Sequence, residues 1–171
     1  EKNNRKNNEK NLIHFIFDEA HTYISENTDV TSFNPIAVFE KIGSDFAKHL
    51  VNKAADYDLE TLVSDVFDIL AQYAVGCLFI EKNQFDFKFL AEHYRAYRKK
   101  FLETMTQYLT AFVESGKVRP LEQLELTTTL IIEILSWWAM DIRYTSFETQ
   151  DIPPELAKKI CIDNIISAYK S

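Results

Sequence analysis

The stretch Glu92–Met140, EHYRAYRKKFLETMTQYLTAFVESGKVRPLEQLELTTTLIIEILSWWAM, decides the fold of this chain. Phe87, Leu90, Tyr94, Tyr97, Phe101, Met105, Tyr108 and Phe112 recur in steps of three and four. That period predicts an amphipathic helix from near Asp86 to Ser115, with Arg95, Arg98, Lys99, Lys100 and Glu103 on its other sides. Gly116 then supplies a left-handed C-cap, and Pro120 follows shortly after. A second helix is expected from Leu121 to about Arg143. Its first half is amphipathic, but LIIEILSWWAM is apolar almost all round. Such a helix must be buried on most sides, by its own fold and by a partner.

The same reading extends outward. Asp58 caps a preceding helix that carries Leu59, Leu62, Val66, Ile69, Leu70, Tyr73 and Cys77, with Gly76 and Gln84 near its end. Asn34 and Pro35 start another, marked by Ile36, Phe39, Ile42, Phe46 and Leu50. Leu12, Ile13, Ile16, Ala20, Tyr23 and Ile24 form a first helical stripe, which runs out at Asn27. On the C-terminal side, YTSFETQ reads as a loop. Asp151, Pro153 and Pro154 then begin a last helix with Leu156, Ile160, Ile165 and Tyr169. The polar opening EKNNRKNNEK cannot pack and is expected to be a flexible lead-in over residues 1–10. Residues 11–171 then form one helical ligand-binding and dimerisation domain. The expectation is an all-α fold of about six to eight helices with no sheet.

Composition supports this. Of 171 residues, 46% are hydrophobic and 26% charged, which is ordinary for a globular domain able to hold a core without disulfides or metal. Three glycines and four prolines are too few for the turns of a sandwich or barrel. The net charge of −7 leaves no basic footprint for nucleic acid. Cys77 and Cys161 sit in apolar helical patterns and read as small buried hydrophobes, consistent with a reducing cytoplasm. No uninterrupted apolar run reaches the ~20 residues of a membrane span, so no membrane partner is expected. The chain starts at Glu1 and its only methionines are Met105 and Met140, which reads as a piece of a longer chain.

Few residue clusters carry chemistry. Phe15–His21, FIFDEAH, resembles the Walker B box of helicase-like ATPases, including the HerA-like family, where Asp holds Mg²⁺ and Glu orients water. No phosphate-cradling GxxxxGK[ST] loop accompanies it, and the neighbouring pattern is helical, which makes Asp18, Glu19 and His21 the polar side of the first helix. His14, Asp18 and His21 share a helical face, but no further ligand marks a metal site. No nucleophile elbow is present. Arg95, Arg98, Lys99 and Lys100 are the densest basic cluster and read first as a solvated helix face, or else as the edge of a pocket for an acidic ligand. The sequence calls for no catalytic residue, cofactor or metal.

The pattern from Glu92 to Met140, with its Gly116-Lys117-Val118-Arg119-Pro120 link, resembles the regulatory domain of the tetracycline-repressor (TetR) family. Residues Asn8–Glu26 resemble the helix that follows that family's DNA-binding head. The head itself, a helix–turn–helix, is not upstream. Laying it on Asp18–Lys53, where DVTSFNPIA and FAKHLVNK echo it, needs a deletion in each turn and loses a helix of the regulatory domain. The resemblance implies a homodimer formed through a four-helix bundle, with Tyr108, Phe112, Ile131, Leu135, Trp138 and Ile142 as expected contacts. It also implies a small-molecule effector held between helices, with operator DNA met only through the missing head. Surplus aromatic rings on converging helices point to an apolar or aromatic effector. The expected lining is Phe39, Phe46, Phe67, Tyr73, Tyr97, Phe101 and Trp138, with His14 or His93 as a polar anchor. The competing functions are a fragment of a DEAH-type ATPase and a helical interaction module without a ligand.

Overall fold

Asp58 sets the start of the first described helix. Its carboxylate accepts the Thr61 backbone N–H at 2.9 Å and the Thr61 hydroxyl at 3.0 Å. This satisfies a donor that the first turn would otherwise leave unpaired, and Glu60 adds favourable charge there. Residues 57–146 and 152–171 are described by the computed structural model. The first two predicted helices lie outside them. Helix α1, Leu59–Lys82, ends where the Asn83 backbone N–H and side-chain amide both return to the Phe79 carbonyl, at 3.1 and 2.8 Å.

Helix α1 is the centre of the described core. Leu59, Leu62, Val63 and Val66 are almost wholly buried, and the described helices that follow it in sequence pack on it. By length and composition it could also cross a bilayer, contrary to the expectation from the sequence, in which Asp65 and Asp68 interrupt the apolar run. Its apolar character answers the packing demand of a helix covered on several sides.

Helix α2, Lys88–Glu114, carries the predicted stripe, with Tyr94, Phe101, Met105, Tyr108, Leu109 and Phe112 buried. Its end is a full Schellman arrangement. Gly116 N–H donates to Val113 O at 3.1 Å, Lys117 N–H donates to Phe112 O at 2.9 Å, and Gly116 has φ 73°. An added Cβ at Gly116 would meet nothing within 4 Å. Gly116→Ala is therefore expected to cost about 1 kcal/mol, all of it from the left-handed dihedral, as read by urea unfolding.

The link after Gly116 is fastened to the other end of the chain. Val118 forms an isolated antiparallel bridge with Lys170, and Arg119 N–H donates to Tyr169 O at 3.0 Å. The Arg119 side chain donates from Nε to Ala168 O at 2.8 Å and lies over the Tyr169 ring. A cation thus meets the carbonyls at the end of α4, where the helix dipole favours it. This gives the arginine of the Gly-Lys-Val-Arg-Pro link a structural role.

Helix α3, Leu124–Ser136, passes directly into a π-helical turn, Trp137–Asp141, and a last α turn, Ile142–Tyr144. The continuous helix was expected, but the extra residue that widens it at the two tryptophans was not. Helix α4, Pro154–Tyr169, has Pro154 in its first turn. It buries Ala157, Cys161 and Ile165, while Leu156 and Ile160 point outward, 46% and 41% exposed. Its inner face is thus turned from the expected one, because small side chains at 157 and 161 let α4 sit close to α1. Lys158 crosses to Asp68 of α1 at 2.7 Å. The described residues form an all-α core of four helices without a strand.

Candidate functional site

The distal half of α1 and the first half of α2 enclose a cluster of polar groups within apolar packing. The α1 side supplies Tyr73, Cys77 and Glu81, at steps of four on one helical face. The α2 side supplies Tyr94, Tyr97, Arg98 and Phe101. The Tyr94 hydroxyl, in a residue only 5% exposed, donates to Glu81 Oε1 at 2.7 Å. Tyr97 stacks on Phe101 with ring centroids 6.2 Å apart and planes 20° from parallel.

Burial dominates the electrostatics of the cluster. It pushes the Cys77 thiol up to about 11, with the Glu81 charge adding to the rise and a hydrogen bond from Tyr94 pulling against it. Tyr94 and Tyr97 are also held well above the usual phenol range, first by burial and then by the charges of Cys77 and, for Tyr94, Glu81. These groups stay protonated at neutral pH and act as hydrogen-bonding groups, with no thiolate or phenolate nucleophile among them.

The sign of the pH dependence follows. Cys77 and Cys161 are both raised to about 11 by burial, and Tyr57 is raised by burial and by its 2.9 Å bond to Asp65. The native state therefore holds protons that the unfolded chain releases above about pH 8.5. Stability is expected to be fully present below that pH and to fall as pH rises toward about 11. Urea midpoints measured between about pH 7.5 and 10.5 check this, with a decline expected only at the alkaline end.

Beside the cluster, a groove of about 300 Å³ opens between the helices. Ile80, Glu81, Gln84, Ala91, Tyr94, Arg95 and Arg98 line it. Arg95 donates to the Gln84 side-chain oxygen at 2.7 Å, and Arg98 donates to Glu133 of α3 at 2.9 Å. Two members of the basic cluster thus edge the groove, while Lys99 and Lys100 remain on the exposed face.

Of the expected lining, Tyr73, Tyr97 and Phe101 come together on the facing sides of α1 and α2. Phe67 is buried nearer the start of α1, and Trp138 is half-buried in the π-turn. His93 lies at the surface, with its ring against Phe89 and Nδ1–H donating to the Phe89 carbonyl at 2.9 Å. His14, Phe39, Phe46 and the FIFDEAH motif lie outside the described residues. Sequence reasoning did not single out Cys77, Glu81 or Tyr94 as site residues. The available signal was a carboxylate at four-residue spacing from a cysteine on the inner stripe of an apolar helix.

The residues expected at a dimer contact are differently placed. Tyr108, Phe112, Ile131, Leu135 and Ile142 are buried within a single chain, none more than 7% exposed, and Trp138 is half-buried. They are core residues, because α3 turns this face toward α1 and α2. The apolar side chains that α3 shows outward are Leu126, Leu130 and Trp137, at 67%, 53% and 45% exposure. They fall on one helical face together with Glu133.

No family model, curated protein or solved structure matches the chain.

Proposed function

We propose that this chain is the effector-sensing and dimerising part of a TetR-like transcriptional regulator, and that it performs no catalysis. The observation that carries this reading is the α1–α2 cluster. Hydroxyls, a thiol and a carboxylate are gathered between two core helices beside an open groove. Such an arrangement suits a small apolar or aromatic molecule that needs one or two polar contacts. The protonated state of its thiol and phenols favours recognition over nucleophilic chemistry.

In this reading the effector biases helix positions, and α3 passes the bias to a second copy through Leu126, Leu130 and Trp137. The paired copies would in turn set the spacing of DNA-binding heads, a population shift between two states. A net charge of −7 disfavours grip on DNA phosphates by this chain, which supports a sensing role over operator binding. The Gly116 cap, the Arg119 clasp and the outward apolar stripe support the regulatory-domain reading.

A thermal-shift panel of lipids, aromatic acids and amides, drug-like cations and Mg²⁺–ATP tests it. A true effector at about 100 times its Kd is expected to stabilise the fold by about 2.7 kcal/mol. For a domain of this size, that moves the melting temperature by roughly 5–10 °C. Silence across the panel would leave a helical interaction module. Mg²⁺-dependent ATP hydrolysis abolished by Glu19→Gln would replace the reading with an ATPase.

A further inference from the structure

The groove edge carries a more specific message than its floor. Ile80 and Ala91 make part of it apolar, and Tyr94 adds a ring, while two guanidinium groups stand at its rim on successive turns of α2. Positions 95 and 98 are three residues apart and share a helical face. Among the described residues, Arg95 meets no carboxylate and donates to the neutral Gln84 amide. Arg98 already holds a carboxylate, that of Glu133, at 2.9 Å. That carboxylate comes from a side chain 60% exposed to solvent, so the pair is an open one of small net worth.

We infer that the groove binds a small organic carboxylate with an apolar or aromatic body, its head taken by Arg95 and Arg98 in exchange for Glu133. The inference deepens the effector-sensing reading and rests on it. The Glu133–Arg98 pair shows how a carboxylate sits on this rim. A guanidinium fork fits a planar carboxylate with two parallel N–H bonds, an arrangement that a lysine does not reproduce. The Glu81 charge disfavours an anion deeper in the groove, which keeps the head at the rim and leaves the body to lie over Ile80, Ala91 and Tyr94.

The exchange also has a direction. Arg98–Glu133 joins α2 to α3, and Glu133 shares the outward face of α3 with Leu130 and Trp137. A ligand that takes Arg98 releases a carboxylate onto that face. A charge event in the groove is thereby delivered to the surface proposed to meet the second copy.

The test uses the full chain with a panel of six- to ten-carbon aliphatic and aromatic carboxylates, among them benzoate and octanoate. Each is paired with its neutral amide, and affinity is read by calorimetry. At least one carboxylate is expected to bind tenfold or more tightly than its amide. Arg95→Gln should weaken it at least tenfold, and Arg95→Lys should restore only part of that loss. Glu133→Gln should tighten it threefold or more, because the competing carboxylate is gone; a merely structural ion pair would not produce this gain. Both positions are at the surface, and unchanged circular dichroism confirms folding of all three variants.

Carboxylates that bind no better than amides, or that ignore Arg95→Gln, overturn the inference. If neutral compounds bind in that case, effector sensing stands and only the carboxylate specificity falls. If nothing in the panel binds, the inference falls, and effector sensing falls with it only when the broader thermal-shift panel is silent as well.

Discussion

Leu135→Ala is expected to lower the unfolding free energy by about 3–5 kcal/mol, the range of leucine truncations in cores that cannot collapse around the cavity. Leu135 is fully buried on α3, and the helix is held on that side by α1 and α2. The loss should be the same at every protein concentration in urea titrations. A residue whose burial depended on a second copy would behave otherwise. Its truncation would cost little once dilution separated the copies, since an exposed leucine in the single chain contributes only tenths of a kcal/mol. A concentration-dependent loss at Leu135 would place that side chain at a partner contact after all.

Glu substitution at both Leu130 and Trp137 is expected to do the reverse. Each side chain is about half exposed in one chain, so the fold and its helicity should survive. The proposed dimer should not. Facing copies would bring introduced carboxylates together beside Glu133, and central aromatic anchors are where alanine scanning finds the largest interface losses. An increase in Kd of at least 100-fold, about 2.7 kcal/mol, is expected. Light scattering across a dilution series reads it directly, as a shift from twice the chain mass to the chain mass. A wild-type chain that scatters as a monomer at about 100 μM would end the dimer proposal, since obligate regulators associate far more tightly.

Those two residues also show where sequence reading succeeds and where it stops. The start of α1 and the end of α2 follow from local chemistry, since the Asp58 cap and the Gly116 left-handed turn each act within one turn of helix; the Asn83 stop and the uncapped start of α2 at Phe87 carry no such mark. Periodicity found the helix expected from Leu121 to about Arg143, which begins at Leu124. It could not say which side of LIIEILSWWAM faces inward, because an almost uniformly apolar segment carries no phase. Ile131 and Leu135 are therefore the residues expected at a partner contact, while the exposed positions are Leu130, one residue before Ile131, and Trp137, two after Leu135.

The α4 helix misleads for a related reason. Large residues at 156 and 160 suggest the inner face, but packing selected small ones at 157 and 161. Close helix approach depends on what is absent from a side chain, and hydrophobic pattern does not register that. The π-turn has no marker in the string WWAMD either. Of the aromatic surplus read from the sequence, Tyr73, Tyr97 and Phe101 fall on the facing sides of α1 and α2. Its polar members depended on the pairing of α1 with α2, a tertiary fact.

The clasp between the Gly116–Pro120 link and the end of α4 has a consequence in time. Arg119 and Ala168 are 49 residues apart in sequence. Bringing such ends together costs ~3.5 kcal/mol of loop-closure entropy before any contact repays it. The α2–α3 hairpin needs only a short turn, so it assembles ahead of the clasp. Docking of the C-terminal helix, through buried Ala157, Cys161 and Ile165, the Lys158–Asp68 pair and the Arg119 clasp, closes longer loops and is expected to follow. Among the described elements, release of α4 is therefore expected before the α2–α3 hairpin opens, read as earlier amide exchange over Pro154–Tyr169.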